Sequence, residues 1–108
     1  MSMDLDDLRL APFPEGLGVQ LDRRAVPGHD GLFSVWLTLD NPTALNAYTH
    51  DMLRALVLGI GEADQDPAVV ALVLTGSGTK AFCTGGDVGH YAASFAGRPG
   101  LMARYMRL

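Results

Sequence analysis

The apolar run Ala68 to Leu74 opens directly into Thr75-Gly76-Ser77-Gly78-Thr79-Lys80-Ala81-Phe82-Cys83-Thr84-Gly85-Gly86-Asp87. A short apolar run bounded by glycine reads as a buried strand, so the chain is carried to the rim of a sheet and turned there by small residues. Without a Cβ, Gly85 and Gly86 can adopt φ values closed to other residues and let another group approach the main chain closely. Backbone N–H groups fixed in such a turn can hold a developing oxyanion without reorganising, and one such donor is worth about 2.7 to 4 kcal/mol. A second donor and an acid or base are still required.

The rest of the sequence supplies the elements of an α/β unit. From Gly31 to Asp40, Phe33, Val35, Leu37 and Leu39 alternate with Ser34, Trp36 and Thr38, the period of a half-buried strand, and Asn41-Pro42 ends it. From Thr49 to about Ala63 the period lengthens to that of a helix. Met52, Leu56 and Ile60, flanked by Leu53 and Val57, form the expected buried stripe, and Thr49 is the expected N-cap with Asp51 in the first turn. Gly59 and Gly61 weaken its last turn. Gly18 to Asp22 reads as a short first strand interrupted by Arg23-Arg24 and the Pro27-Gly28 turn. Two further helices are expected, Val88 to Phe95 and Pro99 to Leu108, the last ending without a cap. Residues 1–16, with Pro12, Pro14, Gly16 and three early aspartates, read as a loosely ordered leader, and residues 17–108 as the domain proper.

Composition bounds the partners. The net charge of -4 is spread without long runs, which offers neither a nucleic-acid groove nor an anionic membrane surface. A single cysteine cannot form an internal disulfide, and neither a secretory segment nor a long apolar span appears, so a cytoplasmic protein is expected. Arg98, Arg104 and Arg107 read as a solvated helix face, with phosphate binding as the functional alternative.

At two blocks the chain resembles the crotonase (enoyl-CoA hydratase/isomerase) superfamily: Leu37-Thr38-Leu39-Asp40-Asn41-Pro42-Thr43-Ala44-Leu45-Asn46-Ala47, and Val73-Leu74-Thr75-Gly76 through Lys80-Ala81-Phe82-Cys83-Thr84-Gly85-Gly86-Asp87. Within it, Leu32 to Pro42, Ala81 to Gly86, Tyr91-Ala92, Ala96 to Pro99 and Arg104 to Leu108 are similar to the 6-oxocyclohex-1-ene-1-carbonyl-CoA hydrolases, ring-opening enzymes of anaerobic benzoyl-CoA breakdown. The Asp87 that follows the two glycines departs from the Asn expected of those hydrolases and matches the commoner hydratase residue. The resemblance implies a spiral of strand-strand-helix units, of which this chain forms the incomplete N-terminal half, and an assembly of trimers or pairs of trimers.

The same resemblance implies that the Gly86 N–H is the first oxyanion donor for a thioester carbonyl. It places Ala44, Leu45, Thr84, Gly85, Gly86, Asp87 and Val88 beside bound coenzyme A, which enters as part of the substrate, so no separate cofactor is expected. The second donor and the acidic residues would come from outside these residues, which makes the chain inert by itself. Where many relatives carry a basic residue before the Asn-Ala pair, this chain has Leu45, and Lys80 is the nearest substitute. Asp87 is read as the N-cap of the helix it precedes, because a carboxylate beside an oxyanion donor would repel the developing charge.

Other chemistries fit the residues less well. Cys83 lies seven positions before His90, too far through a turn to guarantee thiolate activation, and is read as a packing residue. His29 and His50 lack partners at ligand spacing, so no metal is expected. Gly76-Ser77-Gly78-Thr79-Lys80-Ala81 satisfies a dinucleotide fingerprint formally but is followed by a poor helix and no ribose-binding acid. Besides the hydrolase, a simple enoyl-CoA hydratase or isomerase and a non-catalytic CoA-binding or assembly piece remain as readings.

Overall fold

The computed structural model describes residues 13–105 and 107, so residues 1–12 of the expected leader lie outside the described residues. Three strands form one sheet in the order β1-β2-β3: β1 (Val19–Ala25), β2 (Phe33–Leu39) and β3 (Val69–Gly76). β1 runs antiparallel to β2, from Val19 opposite Leu39 to Ala25 opposite Phe33. β3 runs parallel to β2, with Val35 beside Leu72 and Leu37 beside Leu74, after a register shift between Phe33 and Ser34. A parallel neighbour requires a crossover, and α1 (His50–Gln65) supplies it. Two short helices follow, α2 (Val88–Phe95) and α3 (Pro99–Tyr105).

Hydrophobic burial defines one face of this sheet. Val35, Leu37 and Leu39 of β2 are buried together with Val19, Met52, Ala55 and Ala63, and Phe13, Leu17, Leu21, Leu56, Val69 and Cys83 pack partly against them. The alternation seen in β2 is therefore real, because its even-numbered residues stay only part-buried. α1 begins as its sequence implies: the Thr49 Oγ accepts the Met52 N–H at 3.2 Å, and Asp51 sits in the first turn. This satisfies one of the donors that every helix start leaves open.

Four expectations need correction. The buried seam of α1 is Met52, Ala55, Gly59 and Ala63, whereas Val57 and Ile60 are exposed. Small residues win this seam because the helix lies close to the sheet: a Cβ built on Gly59 would stand 2.8 Å from Leu37 Cδ2. Gly59 thus permits a close approach rather than merely loosening a turn. The first strand continues through Arg23 and Arg24 to Ala25. Successive side chains face opposite sides of the sheet, and each arginine finds its own partners. Arg23 lies over the Phe33 ring at 4.3 Å and donates to Asp66 Oδ2 at 2.7 Å, while Arg24 lies over Trp36 at 4.0 Å and donates to Asp22 Oδ2 at 2.7 Å.

β3 departs furthest from expectation. It reads as buried on both faces, yet Val70, Leu72 and Leu74 are exposed. β3 is an edge strand here, and no residue along it is buried. Lastly, Gly85 has a φ of +98°, whereas Gly86 is absent from the residues with positive φ among those described. Only the first of the two glycines uses a conformation closed to other residues.

Candidate functional site

The polypeptide leaves β2 at Leu39 and makes a 3-10 turn at Pro42–Ala44, followed by Leu45 (φ +53°) and Asn46 (φ +58°) in left-handed conformation. Two such residues in succession are costly for Leu and tolerable for Asn, whose short polar side chain bonds locally. The turn is braced from within. Asn41 Nδ2 donates to Ala47 O at 2.8 Å, and the Asn46 N–H donates to Asn41 O at 2.8 Å. The next residue, Tyr48, meets the glycine loop that follows β3.

That loop runs from Ser77 to Asp87, and no helix begins until Val88. It folds back over the end of β3 because Gly76 has no Cβ: one built there would collide with Phe82 O and lie 2.8 Å from Asn46 Nδ2. Beyond Phe82 the loop returns to the first turn. Thr84 Oγ1 lies 3.2 Å from Leu45 O and 3.4 Å from Ala44 O. Tyr48 N then donates to Gly85 O at 2.9 Å, and Asp87 N donates to Tyr48 O at 3.0 Å, which is one rung of a parallel bridge between Tyr48 and Gly86.

In such a rung the neighbours of the central residue make both bonds, so the N–H and C=O of Gly86 point to the other side. No hydrogen bond among the described residues uses the Gly86 N–H. An amide held rigidly on one side and open on the other is a suitable donor for an incoming oxygen. Ala44, Leu45, Thr84, Gly85, Gly86 and Asp87 are therefore brought together, as two chain segments laid side by side. Val88 follows as the first residue of α2 and is 79% exposed. The Asp87 carboxylate is turned over the start of that helix, its Oδ1 3.4 Å from the Cβ position of Gly89.

An open cleft of about 270 Å³ lies beside the first turn, lined by Pro42, Leu45, Asn46, Gly78, Thr79, Lys80 and Ala81. Of the expected contact residues Leu45 lines it, and Ala44, Thr84, Gly85, Gly86, Asp87 and Val88 do not. Lys80 and Leu45 both line this cleft, so it holds a cation although position 45 does not supply one. Cys83 is part-buried against the core, with its Sγ 3.5 Å from the Gly85 N–H. Among the described residues no group of three His, Cys, Asp or Glu converges.

Sequence reasoning passed over Asn46. Its side chain is the buried polar group among the described residues, 1% exposed, and its amide reaches Ser77 and Ala81 across the junction. The signal available in the sequence was a lone amide inside the apolar stretch Ala44-Leu45-Asn46-Ala47.

Comparison with known proteins bears on the family and the fold. The family model described as Enoyl-CoA hydratase/isomerase matches residues 34–107. A 6-oxocyclohex-1-ene-1-carbonyl-CoA hydrolase of Geobacter metallireducens is 43% identical over 95 residues, covering 83% of this chain and 25% of the relative. The enzyme of that name from Thauera aromatica is 46% identical over 78 residues, covering 72% of this chain and 21% of the relative. A solved carnitinyl-CoA dehydratase of Mycobacterium avium superposes with a TM-score of 0.61 at 33% identity, over 70% of this chain and 27% of that one. The chain thus spans about a quarter of the length of these hydrolases. It belongs to the enoyl-CoA hydratase/isomerase, or crotonase, family.

Proposed function

We propose that this chain serves in an acyl-CoA hydrolase or hydratase, in which the Gly86 N–H is one of two backbone donors to the thioester oxygen. The observation that carries this reading is the Tyr48–Gly86 rung, which fixes the backbone of residue 86 while leaving its amide unspent. A donor of this kind favours the transition state over the ground state, because charge collects on the oxygen only as the carbonyl is attacked or enolised. Water then adds to, or attacks, the activated acyl group. The substrate we favour is 6-oxocyclohex-1-ene-1-carbonyl-CoA, since the relatives so named share 41–46% of the residues they align with this chain. Asp87 favours a second reading, hydration of a simple 2-enoyl-CoA.

In this reading Ala44, Leu45 and residues 84–88 flank coenzyme A through main-chain groups, and Lys80 supplies a cation for one of its phosphates. The protein would work in the cytoplasm as a trimer or pair of trimers. Among the described residues no helix is long and apolar enough to cross a membrane.

The test is an assay of the protein bearing this chain with 6-oxocyclohex-1-ene-1-carbonyl-CoA beside crotonyl-CoA. Turnover of the first alone supports the hydrolase, turnover of the second alone the hydratase, and turnover of neither defeats the proposal. Gly86→Pro removes the N–H and should lower kcat by about 10²- to 10³-fold with the fold intact. Purified residues 1–108 should turn over neither compound.

A further inference from the structure

We infer that Asn46 is the positioning residue of this site: its carboxamide sets the distance between the two segments whose alignment presents the Gly86 amide. The inference rests on the reading of Gly86 as an oxyanion donor. It begins from a complete hydrogen-bond account. A carboxamide has two donor and two acceptor positions. Asn46 Oδ1 accepts from Asn41 N at 2.9 Å and from Ser77 Oγ at 3.4 Å. Asn46 Nδ2 donates to Ser77 O and to Ala81 O, each at 2.9 Å. All four positions are filled within the protein, in a side chain 1% exposed.

Those partners lie on both sides of the junction. Asn41 belongs to the turn after β2, and Ser77 and Ala81 belong to the loop after β3. The Asn46 clasp, the Thr84 contact to Leu45 and the Tyr48 rung to Gly85 and Asp87 follow one another along the same two segments. Before Cys83 the loop has little apolar cover, for Gly78, Thr79, Lys80 and Phe82 are all exposed. Apolar burial cannot fix such a segment, so directional bonds from a buried group must do so. Gly76 completes the device, because a Cβ there would stand 2.8 Å from Asn46 Nδ2. An oxyanion donor displaced by about 1 Å can forfeit a rate factor on the order of 10², so the clasp acts on catalysis without touching substrate.

The experiment is amide hydrogen exchange on the 108-residue chain, read by NMR at Tyr48 and Asp87, with Leu37 in β2 as the control. Asn46→Gly suits the left-handed backbone and removes the side chain; Asn46→Asp keeps the shape and replaces two donors by an acceptor. Both should speed exchange at Tyr48 and Asp87 by about 10-fold or more while Leu37 keeps its protection. A buried aspartate facing two carbonyl oxygens has its folded-state pKa raised. Below that raised value the neutral acid donates again, so protection in Asn46→Asp should return on acidification and be lost as pH rises through it. Unchanged protection at Tyr48 and Asp87 in both variants overturns the inference.

Should either substitution unfold the chain, the unsubstituted protein decides. In mild urea the Asn46 Nδ2 protons and the Tyr48 and Asp87 amides must open in one event, and two separate events overturn the clasp. The oxyanion reading has its own readout in the protein that bears this chain: whichever of 6-oxocyclohex-1-ene-1-carbonyl-CoA and crotonyl-CoA it turns over should shift the Gly86 amide resonance, and that shift should vanish in Asn46→Gly. A shift that survives Asn46→Gly refutes the positioning role. No shift even in the unsubstituted protein refutes the role given to Gly86, whatever the exchange pattern.

Discussion

Val35 and Leu37 on β2 sit beside Leu72 and Leu74 on β3, in register and on one face of one sheet, yet the first pair is 4% and 0% exposed and the second 42% and 45%. Residue type cannot account for this, since all four are aliphatic and all four lie in strands. The difference comes from packing: Val35 and Leu37 share the core with Met52, Ala55 and Ala63 of α1, whereas Leu72 and Leu74, on the edge strand, do not join it. A strand is buried by what stands over it, and an apolar run states only that cover would be favourable.

Truncating the covered strand should break the contrast most severely. Leu37→Ala leaves a cavity beneath α1 and should lower stability by about 2 to 5 kcal/mol, as measured by urea denaturation. Thr49→Ala removes the cap that anchors the covering helix and should cost about 1 kcal/mol in the same measurement. Leu74→Ala, on the uncovered strand, should fall within about 0.5 to 1 kcal/mol of the parent. If Leu74→Ala proves as costly as Leu37→Ala, β3 is covered in solution, and the contrast drawn between the strands fails.

The sequence disclosed those features that depend on local pattern. Alternation from Phe33 to Leu39, the Thr49 cap and the extent of α2 are set by neighbours a few positions away, and all three stand in the structure. It concealed those that depend on distance between elements. The Met52, Ala55, Gly59, Ala63 seam beats the more hydrophobic Leu53, Val57, Ile60 side because the helix comes so close to Leu37 at Gly59 that no side chain fits there. Arg23 and Arg24 looked like a strand end because their partners, Phe33, Asp66, Trp36 and Asp22, are mostly remote in sequence. At the site, the glycine-rich loop was legible as a turn rich in donors. That of the Gly85-Gly86 pair only Gly85 takes a positive φ, and that Asn46 holds the loop, became visible only once the two segments were laid together.

The rung between Tyr48 and Gly86 also bears on when, during folding, the site comes into being. Its two halves are separated in sequence by the whole of α1 and β3. Loop-closure entropy must be met before so distant a pairing is rewarded, so β3 has to find its register on β2 first. The row of amides at Gly85 to Asp87 is thus among the last parts of this chain to acquire its shape. A nascent polypeptide still lacking β3 holds Tyr48 but nothing for it to pair with.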